Sequence, residues 1–304
     1  EYILNDTSFP TIDPQNPYEL TADEQEIVQK LHNSFVSSEK LNRHTLCLFR
    51  NGCVYTVMNS NLLYHASIPL NEDGTLKEVS IEGNTYKGEA LFKKVGSLLR
   101  EAYFNNSDNP HHSFALDYAW YLWCGKDSPV FDKNKMATFE AYFIDDKEAQ
   151  KEVKGHYYTL RDREDICDMI LDEFGVTGPH RHIINGHVPV KSKKGESPLK
   201  ANGRIIVIDG GFCHAYHSRT GIAGYTMVYS SRGLSLRVHE PFETLEKVIK
   251  QNSDIKNKVD VFETMKQRML VEDTDEGRQI KTTIGDLKLL IQAYQLGIIK
   301  ENKD

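Results

Sequence analysis

The chain has 304 residues, a formal net charge of -7, 39% apolar and 10% aromatic residues. That is enough for one large domain or two small ones, too apolar for wholesale disorder, and without the overall basic charge that nucleic-acid binding favours. No apolar run approaches the roughly 20 residues that cross a bilayer, and no charged segment leading into an apolar stretch opens the chain. The expectation is a cytoplasmic protein with neither a nucleic-acid nor a membrane partner. The five cysteines, Cys47, Cys53, Cys124, Cys167 and Cys213, are scattered without a Cys-x-x-Cys pair and read as reduced thiols.

Residues 1–20 are rich in proline and aspartate and read as an extended connection. Thr21 and Glu24 form a capping box for a helix that repeats Ile27, Val28, Leu31 and Phe35 on one face. A second helix is predicted to run to about Arg50, with Gly52 as a left-handed stop. "CVYTVM" and "LLYH" flank Asn59, Ser60 and Asn61, which predicts a hairpin delivering His65 to a sheet's end.

From about 87 to 174 the pattern is mostly helical: Lys87 to Phe104 has the 3.6-residue period, and "SFALDYAWYLWCG" reads as a buried aromatic helix in which Trp120, Tyr121 and Trp123 pack into the core rather than stack on a sugar. His111 and His112 fall in a polar loop. A charged amphipathic helix from Arg161 to Phe174 ends at Gly175, near which composition places a boundary. "RIIVIDGG" is a short apolar run between Gly203 and Gly210, the mark of a buried strand, and "AGYTMVYS" and "LSLRVH" form a hairpin across Ser231, Arg232 and Gly233. Helices followed by consecutive strands, with no Gly-x-Gly-x-x-Gly, favour an α/β sandwich of mixed β-sheets over a doubly wound nucleotide fold. Ile280, Ile284, Leu287, Ile291 and Tyr294 make one stripe on a C-terminal helix, read as packing on its own domain, with a homo-oligomer contact as the alternative.

The chemistry concentrates at two strand ends. "HRHIINGHVPV" runs an apolar pair into a glycine-initiated bend at His187, and "NLLYHASIPL" ends a strand at His65. A histidine held in such a bend suits a divalent cation, since one ring nitrogen is free to ligate while a neighbour fixes the other. Asp209, after the next apolar strand, either orients a ligand or caps the following turn. Lys191, Lys193, Lys194 and Lys200 crowd the loop beyond His187, and with Arg181 they are candidates for holding phosphate. A solvated lysine-rich turn is the competing explanation.

These segments, with "YLWCGKDSPVF", "MATFEAYFI", the run from Gly178 to Phe212 and "DTDEGRQIKTTIGDLKLLIQAY", resemble the C-terminal half of class III fructose-1,6-bisphosphatases of the calcineurin-like metallophosphoesterase superfamily. The resemblance implies a calcineurin-like sandwich of mixed sheets flanked by helices, spanning residues 21–304 with a helical insertion at about 87–174. It implies hydrolysis of fructose 1,6-bisphosphate in gluconeogenesis by a dinuclear manganese site, whose bridging hydroxide attacks the 1-phosphate in line. His65 and His187 would be metal ligands. The Asp-x-His, Gly-Asp-x-x-Asp and Gly-Asn-His-Glu motifs do not occur, so a missing N-terminal half would supply the carboxylates, an asparagine and the general-acid histidine. The alternatives are a noncatalytic structural or oligomerisation fragment and a protein Ser/Thr phosphatase of the same superfamily.

Overall fold

A computed structural model of the chain describes residues 2–105, 109–211, 213–221, 224–239, 244–252 and 257–300; Glu1, Phe212 and Ala223 lie outside them. The chain forms two units, Glu1–Tyr55 with His65–Leu160, and Thr56–Tyr64 with Arg161–Asp304.

In the first unit, Thr21 and Glu24 make the expected capping box on α1 (Ala22–Val36). The face that repeats Ile27, Val28, Leu31 and Phe35 stays exposed. The second helix, α2 (Glu39–Asn51), is stopped differently from expectation. Gly52 has φ -91°, and a Cβ there would sit 2.5 Å from the Leu48 carbonyl oxygen, so glycine is needed for close approach and not for a left-handed turn. After a small hairpin, β3 (Val79–Ile81) with β4 (Asn84–Tyr86), come α3 (Gly88–Phe104) and α4 (Pro110–Cys124). Leu91, Val95 and Leu98 of α3 meet Ala115, Tyr118 and Leu122 of α4 in a buried cluster.

Two expectations for α4 fail. His111 and His112 are in its first turn rather than a loop, because Asn109 caps the His112 N–H and Pro110 occupies the first helical position. Trp120 and Trp123 are 65% and 56% exposed, and their rings meet edge to face instead of entering the core. Between Gly125 and Arg163 the described residues are less helical than the pattern suggests, holding only the short α5 (Thr138–Phe143) and α6 (Tyr157–Leu160).

The second unit is built on a mixed sheet. Asn59 and Ser60 both have positive φ, 48° and 62°, as a two-residue type I′ turn requires, so β1 (Tyr55–Met58) and β2 (Asn61–Tyr64) are neighbours. β2 pairs in parallel with β5 (His182–Asn185), and β5 in parallel with β7 (Ile205–Val207). β6 (Leu199–Lys200) closes the order β1-β2-β5-β7-β6 antiparallel to β7. All residues of β5 and β7 are buried, which accounts for the apolar stretches at 183–184 and 205–207, since parallel strands are covered on both faces. α7 (Glu164–Glu173) packs on β5 and buries Ile166, Cys167, Ile170 and Leu171; Gly175, φ 66°, ends it as expected.

A separate antiparallel sheet holds β8 (Gly224–Ser230), β9 (Gly233–His239) and β10 (Asn257–Thr264) in the order β10-β9-β8. The β8–β9 hairpin turns at Ser231 and Arg232 as predicted, while β10 has no counterpart in the sequence reading. Two shorter helices, α8 (His214–Thr220) and α9 (Leu245–Gln251), flank its strands in the chain. The last helix, α10 (Asp275–Gln295), does not pack as expected. Its stripe is 46–56% exposed, and among the described residues only Gly277 of the helix is buried. The anchor is polar: the Asn59 N–H donates to Asp275 Oδ2 at 2.5 Å, and the Asp275 N–H donates to Asn59 Oδ1 at 2.9 Å.

Replacing Asn59 by alanine removes one of these bonds and places a Cβ-bearing residue without a compensating side chain at positive φ. The expected loss in denaturant unfolding is about 2 to 3 kcal/mol. Asn59→Gly, which keeps the turn, should lose only about 1 kcal/mol. Equal losses would show that the backbone conformation contributes nothing.

Candidate functional site

The β2–β5 register runs Asn61↔His182, Leu62↔Ile183 and Leu63↔Ile184, and the β5–β7 register runs to Asn185↔Val207. Three parallel strands therefore end at one edge of the sheet. Such carboxyl edges are where α/β sheets place ligands.

At this edge the chain after β5 bends sharply. The Val188 N–H donates to the Gly186 carbonyl at 2.8 Å, closing a three-residue turn around His187, whose φ is 67°. A histidine at positive φ is costly and is retained where its surroundings enforce it. Here the loop is pinned on both sides to the end of β7: the Ile208 N–H donates to the Asn185 carbonyl, and the Val190 N–H donates to the Asp209 carbonyl, each at 2.9 Å. His187 is half-buried. His65 follows the last residue of β2 directly and is exposed.

Asp209 lies just beyond β7. Its carboxylate accepts the Gly211 N–H at 2.9 Å, so it caps the turn that follows. The lysine loop leaves the same edge and is folded around one acid. Glu196 takes the backbone N–H of Lys191 at 2.9 Å and the Lys200 ammonium at 3.0 Å. Burial pushes the Glu196 carboxyl up, but those two partners and the nearby Arg161 charge outweigh it and hold it low. Lys193 reaches the Ser218 carbonyl at 3.2 Å; Lys194 closes the short turn of residues Ser192–Lys194 that Gly195 ends at φ 75°.

Arg181 is not brought to this edge. It precedes β5, and its guanidinium bonds Asp172, Asp168 at 3.0 Å and the Val176 carbonyl at 2.9 Å. These partners hold its charge on α7. Among the described residues no group of three or more His, Cys, Asp or Glu side chains is arranged to hold a metal ion. No helix among them is long and apolar enough to cross a membrane.

Sequence reasoning missed Asp132 in the first unit. It is 3% exposed, has φ 47°, and exchanges backbone bonds of 2.8 Å with the Ser128 carbonyl and the Gly155 N–H. Burial pushes its carboxyl up to about 6, against the pull of the Ser67 hydroxyl. Ser67 is itself buried, two residues beyond His65. The "KDSPVFD" turn gave no signal that its aspartate would be enclosed.

Comparison with known proteins identifies what the chain is similar to. The family model described as Firmicute fructose-1,6-bisphosphatase matches residues 1–296. Fructose-1,6-bisphosphatase class 3 of Phocaeicola vulgatus is 64% identical over 301 residues, 99% of this chain and 45% of that protein. The class 3 enzyme of Bacteroides thetaiotaomicron is 59% identical over the same shares, and that of Clostridium botulinum 52% identical over 303 residues, 100% of this chain and 45% of that protein. The chain thus spans less than half the length of these relatives. No solved structure matches it.

The raised Asp132 carboxyl sets a direction for stability against pH. Unfolded, it ionises near 3.9; folded, at about 6. Between these values the unfolded state alone releases its proton, so stability falls as pH rises, by roughly 3 kcal/mol in total. Asp132→Asn should match the parent near pH 4 and be more stable at pH 7 in denaturant titrations. A gap of the same size at both pH values would contradict this origin.

Proposed function

The chain belongs to the Firmicute fructose-1,6-bisphosphatase family, and on that premise we propose that its protein hydrolyses fructose 1,6-bisphosphate to fructose 6-phosphate and phosphate. The observation that carries the reading is the parallel pairing of β2 with β5, which ends the strands before His65 and His187 at one sheet edge. The positive-φ turn at His187, fixed on both sides by β7, supports a residue held for a purpose beyond closing a loop.

In this reading the fold is the calcineurin-like sandwich, and His65 and His187 are two ligands of a divalent centre, manganese by family resemblance. Such a centre, when bound, makes a bound water acidic and balances charge on phosphoryl oxygens. In this reading the chain supplies two of its ligands; among the described residues no group of three or more His, Cys, Asp or Glu side chains is arranged to hold a metal ion. We assign the remaining ligands and the general acid to an N-terminal half outside these 304 residues. The same observation favours a second reading for the isolated chain, that of a piece without catalytic activity of its own.

Around the histidines, this chain's residues bind and orient. Asp209 fixes the β7 end against the His187 loop. Lys191, Lys193 and Lys194 present positive charge beyond that loop, suited to the phosphate that is not cleaved. Lys200, held by Glu196, shapes the loop more than it meets solvent, and Arg181 steadies the start of β5 from α7.

The test is turnover and metal content of the full-length protein. His65→Ala and His187→Ala should each cut metal affinity by more than the roughly 10 to 100-fold that loss of an outer-shell partner costs, and fructose 1,6-bisphosphatase activity with it. Retention of both metal and activity in either variant would remove that residue from the site.

Combined Lys191→Ala, Lys193→Ala and Lys194→Ala should raise KM for fructose 1,6-bisphosphate roughly 10-fold, about 1.4 kcal/mol, and leave KM for a simple aryl phosphate nearly unchanged. Only the bisphosphate has a remote charge to lose. Equal effects on both substrates would assign the lysines a general electrostatic role.

A further inference from the structure

Within the second unit, His180, His182 and Glu263 meet at the opposite end of β5 from the candidate ligand. His182 is 6% exposed. Its Nδ1 lies 2.8 Å from the Gly203 carbonyl oxygen and its Nε2 2.6 Å from Glu263 Oε2. His180 Nδ1 bonds the other oxygen of the same carboxylate. A carbonyl oxygen only accepts, and so does an ionised carboxylate, whereas a neutral imidazole has one N–H to donate. Both bonds of His182 therefore form together only if the ring carries two protons, or if Glu263 carries one. Burial pushes the Glu263 carboxyl up, but the bonds from His180 and His182 outweigh it and hold it below its ordinary range. Each oxygen of the Glu263 carboxylate meets an imidazole nitrogen, so the carboxylate accepts on both sides as the charged partner, and the Gly203 carbonyl and that carboxylate together call for two protons on the His182 ring.

A break in the β10–β9 register places Glu263 there. Val261 pairs with Ser235 and Glu263 with Leu234, leaving Phe262 as the extra residue of a β-bulge. A bulge changes the face to which the following side chain points. The Phe262 ring stands edge-on to His182 with centroids 6.0 Å apart, which adds to the shelter around the pair. The surrounding charges are committed elsewhere: Arg181 to Asp168 and Asp172, and Arg204, before β7, to Asp168. On the β9 side the residue opposite Glu263 is Leu234; from β8, Tyr229 feels the Glu263 charge.

We propose that His180, Glu263 and His182 form a proton-controlled tie between the two sheets of this unit, with His182 held as an imidazolium. The tie joins residues 81 apart in sequence, on strands that share no backbone ladder. When His182 loses its second proton, one of its two bonds must break, and the bulged end of β10 is freed from β5.

Ring-nitrogen NMR of the intact, 15N-labelled protein reads this directly, with His182 identified by the signal that His182→Gln removes. At pH 7 both ring nitrogens should be protonated. In Glu263→Gln the pH at which the ring loses its second proton should drop by roughly 1 to 3 units, the usual effect of removing an adjacent opposite charge. Amide exchange in β10, corrected for its intrinsic rate, should accelerate as the parent protein passes its own midpoint. One bare ring nitrogen at pH 7 in the parent protein would overturn the proposal whether or not the variants fold. So would an unchanged midpoint in Glu263→Gln.

Discussion

All four residues of β5 are buried, so every backbone N–H and C=O of that strand has to be paired inside the protein. Much of the second unit follows from that requirement. β2 and β7 supply the partners, each in parallel, and parallel neighbours force the chain to cross back between strands. The crossover from β2 to β5 includes the whole of residues 65–160, which belong with residues 1–55 to the other unit. Because the three strands run the same way, their carboxyl ends share an edge, and the tight turn at His187 is the exit from the middle one.

The parts that sequence made legible are those governed by short-range rules. The Thr21 cap, the Asn59–Ser60 turn, the α7 stop at Gly175 and the apolar strands at 183–184 and 205–207 each depend on neighbours a few residues away, and each stands where the pattern placed it. What failed depends on distant partners. α4 is apolar and aromatic on every side, so its period could not say which face meets α3, and Trp120 and Trp123 turn out to be on the other. The α10 stripe is regular but has no matching face among the described residues.

The candidate site shows the same division. Its two histidines were visible because strand ends are local, and so was the turn-capping option for Asp209. The charge balance was not. The lysine cluster looks strongly basic in sequence, yet Glu196 folds back into it, pairing with the Lys200 ammonium and accepting the Lys191 backbone N–H. Arg181, two residues before the apolar pair Ile183–Ile184, is drawn to α7 by carboxylates 9 and 13 residues earlier. The carboxylate that meets His182 is on β10, a strand with no sequence signal strong enough to be assigned, and its aim depends on a bulge that no pattern announces.

The account turns on the claim that the ends of β2 and β5 serve one metal centre. Anomalous diffraction from manganese-soaked crystals of the full-length protein measures this most directly. The account predicts metal peaks at the carboxyl edge of the five-stranded sheet, with a ring nitrogen of His65 and one of His187 each within about 2.0 to 2.3 Å of a metal, near the range of imidazole ligation. Metal bound elsewhere, with either imidazole left unligated, would contradict it.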